Sequence, residues 1–120
     1  MKRLVIVFQP ELLEHDFGPG HPVKSRQRQE GFLNGLKAAG LLDLPQVAVI
    51  QPRREIGDED ILAVHDPSLL ELIKELSRDG GVLDADTPLP KGTYPRTKLQ
   101  AGAFLAGAEL VLAGQYDRLA

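Results

Sequence analysis

Cysteine is absent from these 120 residues, and with it go disulfides, thiolate metal sites and cysteine nucleophiles. Tryptophan is absent too, and aromatics make up only 5% of the chain, so a core has to be built from Leu, Val, Ile and Ala. Long apolar runs are also missing. Met1-Lys2-Arg3 leads into Leu4-Val5-Ile6-Val7-Phe8, a run too short for the apolar core of a signal peptide or for a membrane span. Neither sign of charge dominates. A net charge of −3 offers no general attraction to nucleic acid or to an anionic membrane. These absences predict a soluble cytoplasmic protein with neither nucleic acid nor membrane as a partner. What is present is ordinary for a folded domain: 42% hydrophobic and 26% charged residues argue against disorder, and the length suits a single domain over 1–120.

Leu4 to Phe8 is rich in β-branched residues, stops before Pro10 and reads as a buried strand. The stretch His15-Asp16-Phe17-Gly18-Pro19-Gly20-His21-Pro22 is too dense in Gly and Pro for regular structure and predicts a loop with a particular backbone path. From about Ser25 to Ala39 the pattern turns helical, with Phe32, Leu33 and Leu36 on one face and Gly40 as a stop. Val47 to Ile50 is a second short strand, closed by Pro52. Gly57-Asp58-Glu59-Asp60 opens an acidic helix start. Asp66-Pro67 opens another helix, with Asp as N-cap and Pro at the first position, and Gly80-Gly81 ends it. A loop is expected from Val82 to about Gly92, then a long helix from roughly Tyr94 to Ala113. Ala103, Ala106 and Gly107 are small residues at helical spacing, which would let this helix lie close to a sheet or another helix. Strands separated by helices predict parallel pairing. Two strands, with a third expected only after this last helix and beyond Ala120, read as an interrupted α/β pattern.

Three histidines, His15, His21 and His65, are the only imidazoles, and zinc bound by them alone would need distant loops to converge. Asp66 beside His65 is already explained as a helix cap. Gly18-Pro19-Gly20 supplies two glycines of a dinucleotide fingerprint, but Val23 stands where the third belongs. Ser25, Ser68 and Ser77 lack the context of a nucleophile elbow. Lys24, Arg26 and Arg28 form a small basic cluster at a helix start, where solvation or pairing with an acidic loop is the ordinary outcome. No residue of this chain is therefore read as catalytic, and none as a metal ligand.

The string from His15 to Pro22, soon followed by arginines opening a helix, resembles the first loop of the histone deacetylase superfamily, which includes acetoin-utilization proteins and acetylpolyamine amidohydrolases. The resemblance continues in order through Val64-His65-Asp66-Pro67, Asp84-Ala85-Asp86-Thr87-Pro88, and Gly92-Thr93-Tyr94 leading into Ala101-Gly102-Ala103. Leu69 departs from it, standing where an aromatic is common, and the stretch from His21 to Arg28 is one residue longer than usual.

That resemblance implies the N-terminal portion of an arginase-like three-layer α/β fold with a parallel sheet. It implies hydrolysis of an acetyl-amide, with acetyl-lysine or an acetylated polyamine as substrate. A zinc ion held by two aspartates and a histidine, a tandem-histidine pair and a tyrosine belong to the complete family domain. This sequence contains neither His-His nor Asp-x-His. Zinc is thus implied for the complete domain and not for this chain alone, which is expected to be inactive by itself. What carries over is peripheral. Asp86 matches a rim aspartate that holds substrate backbone at the tunnel mouth. Arg28, or else Arg26, matches an arginine near the inner end of the acetate channel; counting back from Gly40 favours Arg28, because a loop tolerates an insertion and a helix does not. Gly20, His21 and Pro22 would form pocket wall. The expectation is a deacetylase N-terminal segment (a truncated reading frame, one piece of a split protein or an excised fragment) that pairs with itself or with a complementing C-terminal chain. The alternatives are a non-catalytic binding or regulatory module that keeps the front half of the fold, and a nucleotide-binding α/β domain.

Overall fold

The computed structural model describes all of residues 1–120. Strand β1 (Leu4–Val7) runs into a 3-10 turn at Pro10–Glu14, and helix α1 (Ser25–Ala38) follows the glycine-rich loop. Then come β2 (Val47–Ile50), α2 (Asp58–Leu62), α3 (Pro67–Asp79), the strands β3 (Gly81–Asp84) and β4 (Thr87–Leu89), α4 (Thr93–Leu112) and β5 (Arg118–Leu119). The main sheet has the order β2-β1-β5, with β1 parallel to both neighbours. No helix is long and apolar enough to cross a membrane.

Val5 and Ile6 are adjacent in β1, so their side chains point to opposite faces of the sheet, and both are fully buried. Both faces of the central strand are therefore covered, as a parallel sheet requires. On one of them α4 packs against β1 and β5 through its small residues. A Cβ at Gly107 would meet the side chains of Leu119 and Val7, while Ala103 is itself buried. Gly102, on the same helix, faces the backbone of Arg54 and Glu55.

Two expectations are corrected. The third strand does lie within the chain. Leu4 and Val5 pair with Arg118 and Leu119, and Asp117 sets the register, because its carboxylate accepts the backbone N–H of Arg3 at 2.8 Å while its own N–H donates to the Arg3 carbonyl. Two residues of strand are too short for an alternation pattern, which is why periodicity missed them. The segment after Gly81 is a hairpin, not a loop. Asp84 accepts the N–H of Asp86 at 3.0 Å and so folds the tight turn, and Val82 pairs with Pro88 across it. Proline is tolerated in a two-stranded edge ladder, where its missing N–H costs nothing.

The cap of α3 follows the sequence. Asp66 accepts the Ser68 N–H at 2.8 Å with Pro67 at the first helical position. The start of α4 has no side-chain cap of its own and is capped from α3, where the buried Ser77 hydroxyl accepts the Tyr94 N–H at 2.8 Å. Beside it, Asp58 gathers α2, α3 and α4. It accepts from the Tyr94 hydroxyl and from Lys74 at 2.7 Å, with Lys98 at 3.7 Å. Both ammonium groups also lie over the Tyr94 ring, at 5.7 and 5.0 Å from its centroid.

The hydrogen bond from Lys74 is the chief reason that the Asp58 carboxyl titrates below its ordinary 3.8, the charge of Lys98 adding to it. A depressed folded-state value contributes stability that is present above the unfolded value and is lost as pH falls through the folded one. The stability of the wild-type chain should therefore fall on acidification below pH 3.8 more steeply than that of Asp58→Asn. Denaturant midpoints measured from pH 6 down to about pH 2 check this. Parallel curves for the two proteins would mean that the ion pairs contribute nothing.

Candidate functional site

Two concavities meet at Phe17. The larger, a cleft of about 810 Å³, opens between the end of β1, the Pro10–Glu14 turn, α1 and α4. The smaller, about 620 Å³, lies between the glycine-rich loop and the turn of the β3–β4 hairpin.

Gly18 adopts φ +99°, a left-handed conformation that a side chain would strain, and its N–H bonds back to the Asp16 carboxylate at 2.9 Å. That reversal brings Gly20, His21 and Pro22 to one wall of the smaller cavity, with Ala85 and Asp86 on the other. His21 is oriented twice over. Its Nδ1 accepts the Val23 N–H at 3.1 Å, and its ring stacks on Phe17 at 4.8 Å, which in turn takes His15 edge-on at 4.7 Å. Across the cavity Asp86 is exposed, held by its backbone to Asp84 and not by its side chain. Asp84 itself titrates below the ordinary range, chiefly through the Thr87 hydroxyl and then the Asp86 N–H.

Four of the six residues singled out from sequence thus share one cavity. Arg28 stands apart from them, in the larger cleft with His15, Phe17 and Arg96. It makes no ion pair, whereas Arg26 lines neither cavity and is bonded to Glu30 at 2.8 Å along the helix. Arg28 thus borders the larger cleft without a carboxylate partner, while Arg26 is engaged along the helix surface.

Sequence reasoning passed over several cleft residues. Gln9 is buried, donates to the Pro52 carbonyl and keeps an Oε1 with no partner. His15 Nδ1 is likewise buried and unpaired, and burial, aided by the charge of Arg96, lowers the imidazole pKa. No pattern in the sequence marks Gln9, a polar residue in the short link after β1, or Arg96, a polar residue within α4.

The chain's donors do not fit a zinc ion. No three His, Asp or Glu side chains come together as a metal-binding group, and one nitrogen of His21 is already taken by a backbone N–H. The nucleotide-binding alternative loses its footing as well. Gly18 and Gly20 sit beyond the Pro10–Glu14 turn, not at a strand-to-helix junction where a pyrophosphate could meet a helix start.

The family model described as Histone deacetylase domain matches residues 21–120. A probable deacetylase of Archaeoglobus fulgidus is 32% identical over 107 residues, which are 89% of this chain and 29% of that protein. A histone deacetylase-like amidohydrolase of Pseudomonas aeruginosa is 44% identical over 62 residues, 51% of this chain and 16% of that protein. Among solved structures, the crystal structure of the HDA15 HD domain superposes with a TM-score of 0.81 at 17% identity, covering 98% of this chain and 34% of that one, a likeness of fold. The chain spans less than a third of the length of these two curated relatives.

Proposed function

This chain belongs to the histone deacetylase family, and we propose on that premise that it is the part of a zinc-dependent deacetylase domain that shapes the substrate entrance. The observation that carries the reading is the smaller cavity, where Gly20, His21 and Pro22 face Asp86. These residues come from two stretches of sequence more than sixty positions apart, and the hairpin turn is built so that Asp86 projects freely.

In this reading Asp86 accepts hydrogen bonds from the backbone or amines of an acetylated substrate, of the acetyl-lysine or acetylpolyamine class. The Gly20–Pro22 wall confines the side chain that carries the acetyl group. Arg28, exposed at the border of the larger cleft and free of any carboxylate, offers a positive charge there that would favour an acetate product. The ligands of the zinc ion lie outside these 120 residues. The setting proposed is cytoplasmic.

The 120-residue chain alone is expected to carry no stoichiometric zinc and to release no acetate from acetyl-lysine or acetylpolyamine substrates. Tight zinc by elemental analysis, lost on replacing His15, His21 or His65, would overturn the division of labour. Within a complete domain that includes this segment, Asp86→Ala should raise KM roughly tenfold with zinc content unchanged, because an orienting carboxylate touches the substrate and not the metal. An unaltered KM would remove Asp86 from the entrance.

A further inference from the structure

The loop from Asp16 to Pro22 forms a cavity wall without any regular structure to hold it. Its own hydrogen bonds are short-range: Gly18 N–H to Asp16, His21 N–H to the Gly18 carbonyl, and Val23 N–H to His21 Nδ1. None of these ties the loop to another element. Lys24 does. Its Nζ donates to the Gly18 carbonyl at 3.0 Å and to the Pro19 carbonyl at 3.2 Å.

Lys24 is also the N-cap residue of α1, and for the helix alone it is a poor choice. N-caps favour Ser, Thr, Asp or Asn, whose oxygens accept the free N–H groups of the first turn. A cation there meets the positive end of the helix dipole, and the first turn of α1 has no acidic residue to offset it. The ammonium gains its partners only by reaching back over the loop.

We propose that Lys24 is a positioning residue, whose ammonium clamps the crest of the glycine-rich loop to the start of α1 and so sets where Gly20, His21 and Pro22 stand opposite Asp86. Lys24 touches neither cavity. The functional consequence rests on the wall reading given above; the clamp itself stands on the two hydrogen bonds. Two carbonyls pointed at one ammonium are drawn to one point, and without it Pro19 O turns to water while Gly18 O keeps only the His21 N–H. The segment then opens locally without unfolding the sheet. Arginine can serve the same two carbonyls with its fork of donors, whereas methionine keeps the apolar stem and loses them.

Amide hydrogen exchange of the 120-residue chain, followed by NMR, tests this. In Lys24→Met the His21 and Val23 amides should exchange about tenfold faster, the loss of one charge-assisted clamp. The amides of β1 and α4 should keep their rates, the thermal midpoint should hold, and Lys24→Arg should restore the loop to within about twofold of wild type. Lys24→Gln, which keeps an uncharged amide donor group on a shorter stem, should fall between the two and serves if the Met variant does not fold. Unchanged exchange at His21 and Val23 overturns the clamp. So does an equal rise across the whole chain, which would make Lys24 an ordinary contributor to global stability. Titrating N-acetyl-lysine amide while following the His21 and Asp86 amides probes the wall reading separately. Silence there, with the exchange result intact, removes that reading and leaves the clamp standing.

Discussion

Replacing Gly102 by alanine should destabilise this chain by about 3 kcal/mol and lower its thermal midpoint by roughly 10 °C. A Cβ at this position would lie 2.0 Å from the Arg54 carbonyl oxygen and 2.6 Å from its carbon, with the Glu55 Cα at 3.2 Å. All three are backbone atoms, so no side chain can swing aside. Relief requires α4 to move off the segment that follows β2, or that segment to lift. Lifting it would also strain the Arg54–Glu109 ion pair and the Ile56 N–H bond to the Lys98 carbonyl. Gly31 is the control. It lies within α1 with open space where a Cβ would be, so Gly31→Ala should stabilise by about 0.5–1 kcal/mol through helix propensity alone. Thermal and denaturant unfolding of the two variants decide the matter. Equal midpoints would mean that α4 does not pack on this segment.

The contrast between those two glycines marks where sequence reading stops. Both belong to helices that the sequence placed well: α1 stops just before Gly40 as expected, and α4 runs over Thr93–Leu112 where a helix from roughly Tyr94 to Ala113 is expected. The spacing of Ala103, Ala106 and Gly107 signalled a close approach, but only coordinates reveal that Gly102 meets backbone while Gly31 meets nothing. The hairpin after Gly81 was hidden because Pro88 and Pro90 read as breakers. The Asp84 turn that makes it possible is a three-residue contact with no periodic signature. Of the candidate site, the string from His15 to Pro22 and the Asp86 turn were legible as motifs, and their convergence on one cavity was not. Lys24 was read as one member of a basic cluster. Its bonds to Gly18 and Pro19 depend on the path of a loop that no residue-by-residue propensity describes.

At tens of micromolar the purified chain should sediment as a dimer or larger species, or pair with a complementing chain, and not persist as a monomer. Its accessible surface is 7741 Å², where a folded monomer of 13.1 kDa should expose about 6,400 Å². Its radius of gyration is 16.3 Å, where a self-contained domain of this length should have about 13.6 Å, and its shortest extent is only 20 Å. Only 10 of 120 residues are buried, while Phe32 and Phe104, which line the larger cleft, are 51% and 62% exposed. The excess of roughly 1,300 Å² exceeds the ~800 Å² that one partner contributes to a standard interface. With half of it apolar, about 25 cal/mol per Å² gives on the order of 15 kcal/mol. That matches the upper end of the roughly 4–15 kcal/mol lost in translational and rotational freedom on association. The sheet adds a template: β2 is an edge strand with Val49 exposed, and β5 covers only two residues of β1 on the other side. Sedimentation velocity decides between the states, and Phe104→Lys should shift the population toward monomer by placing a charge in the apolar cleft. A wild-type monomer with a cooperative thermal transition would mean that these 120 residues satisfy their own core, and the reading of the chain as an independent binding module would replace that of a deacetylase segment awaiting its complement.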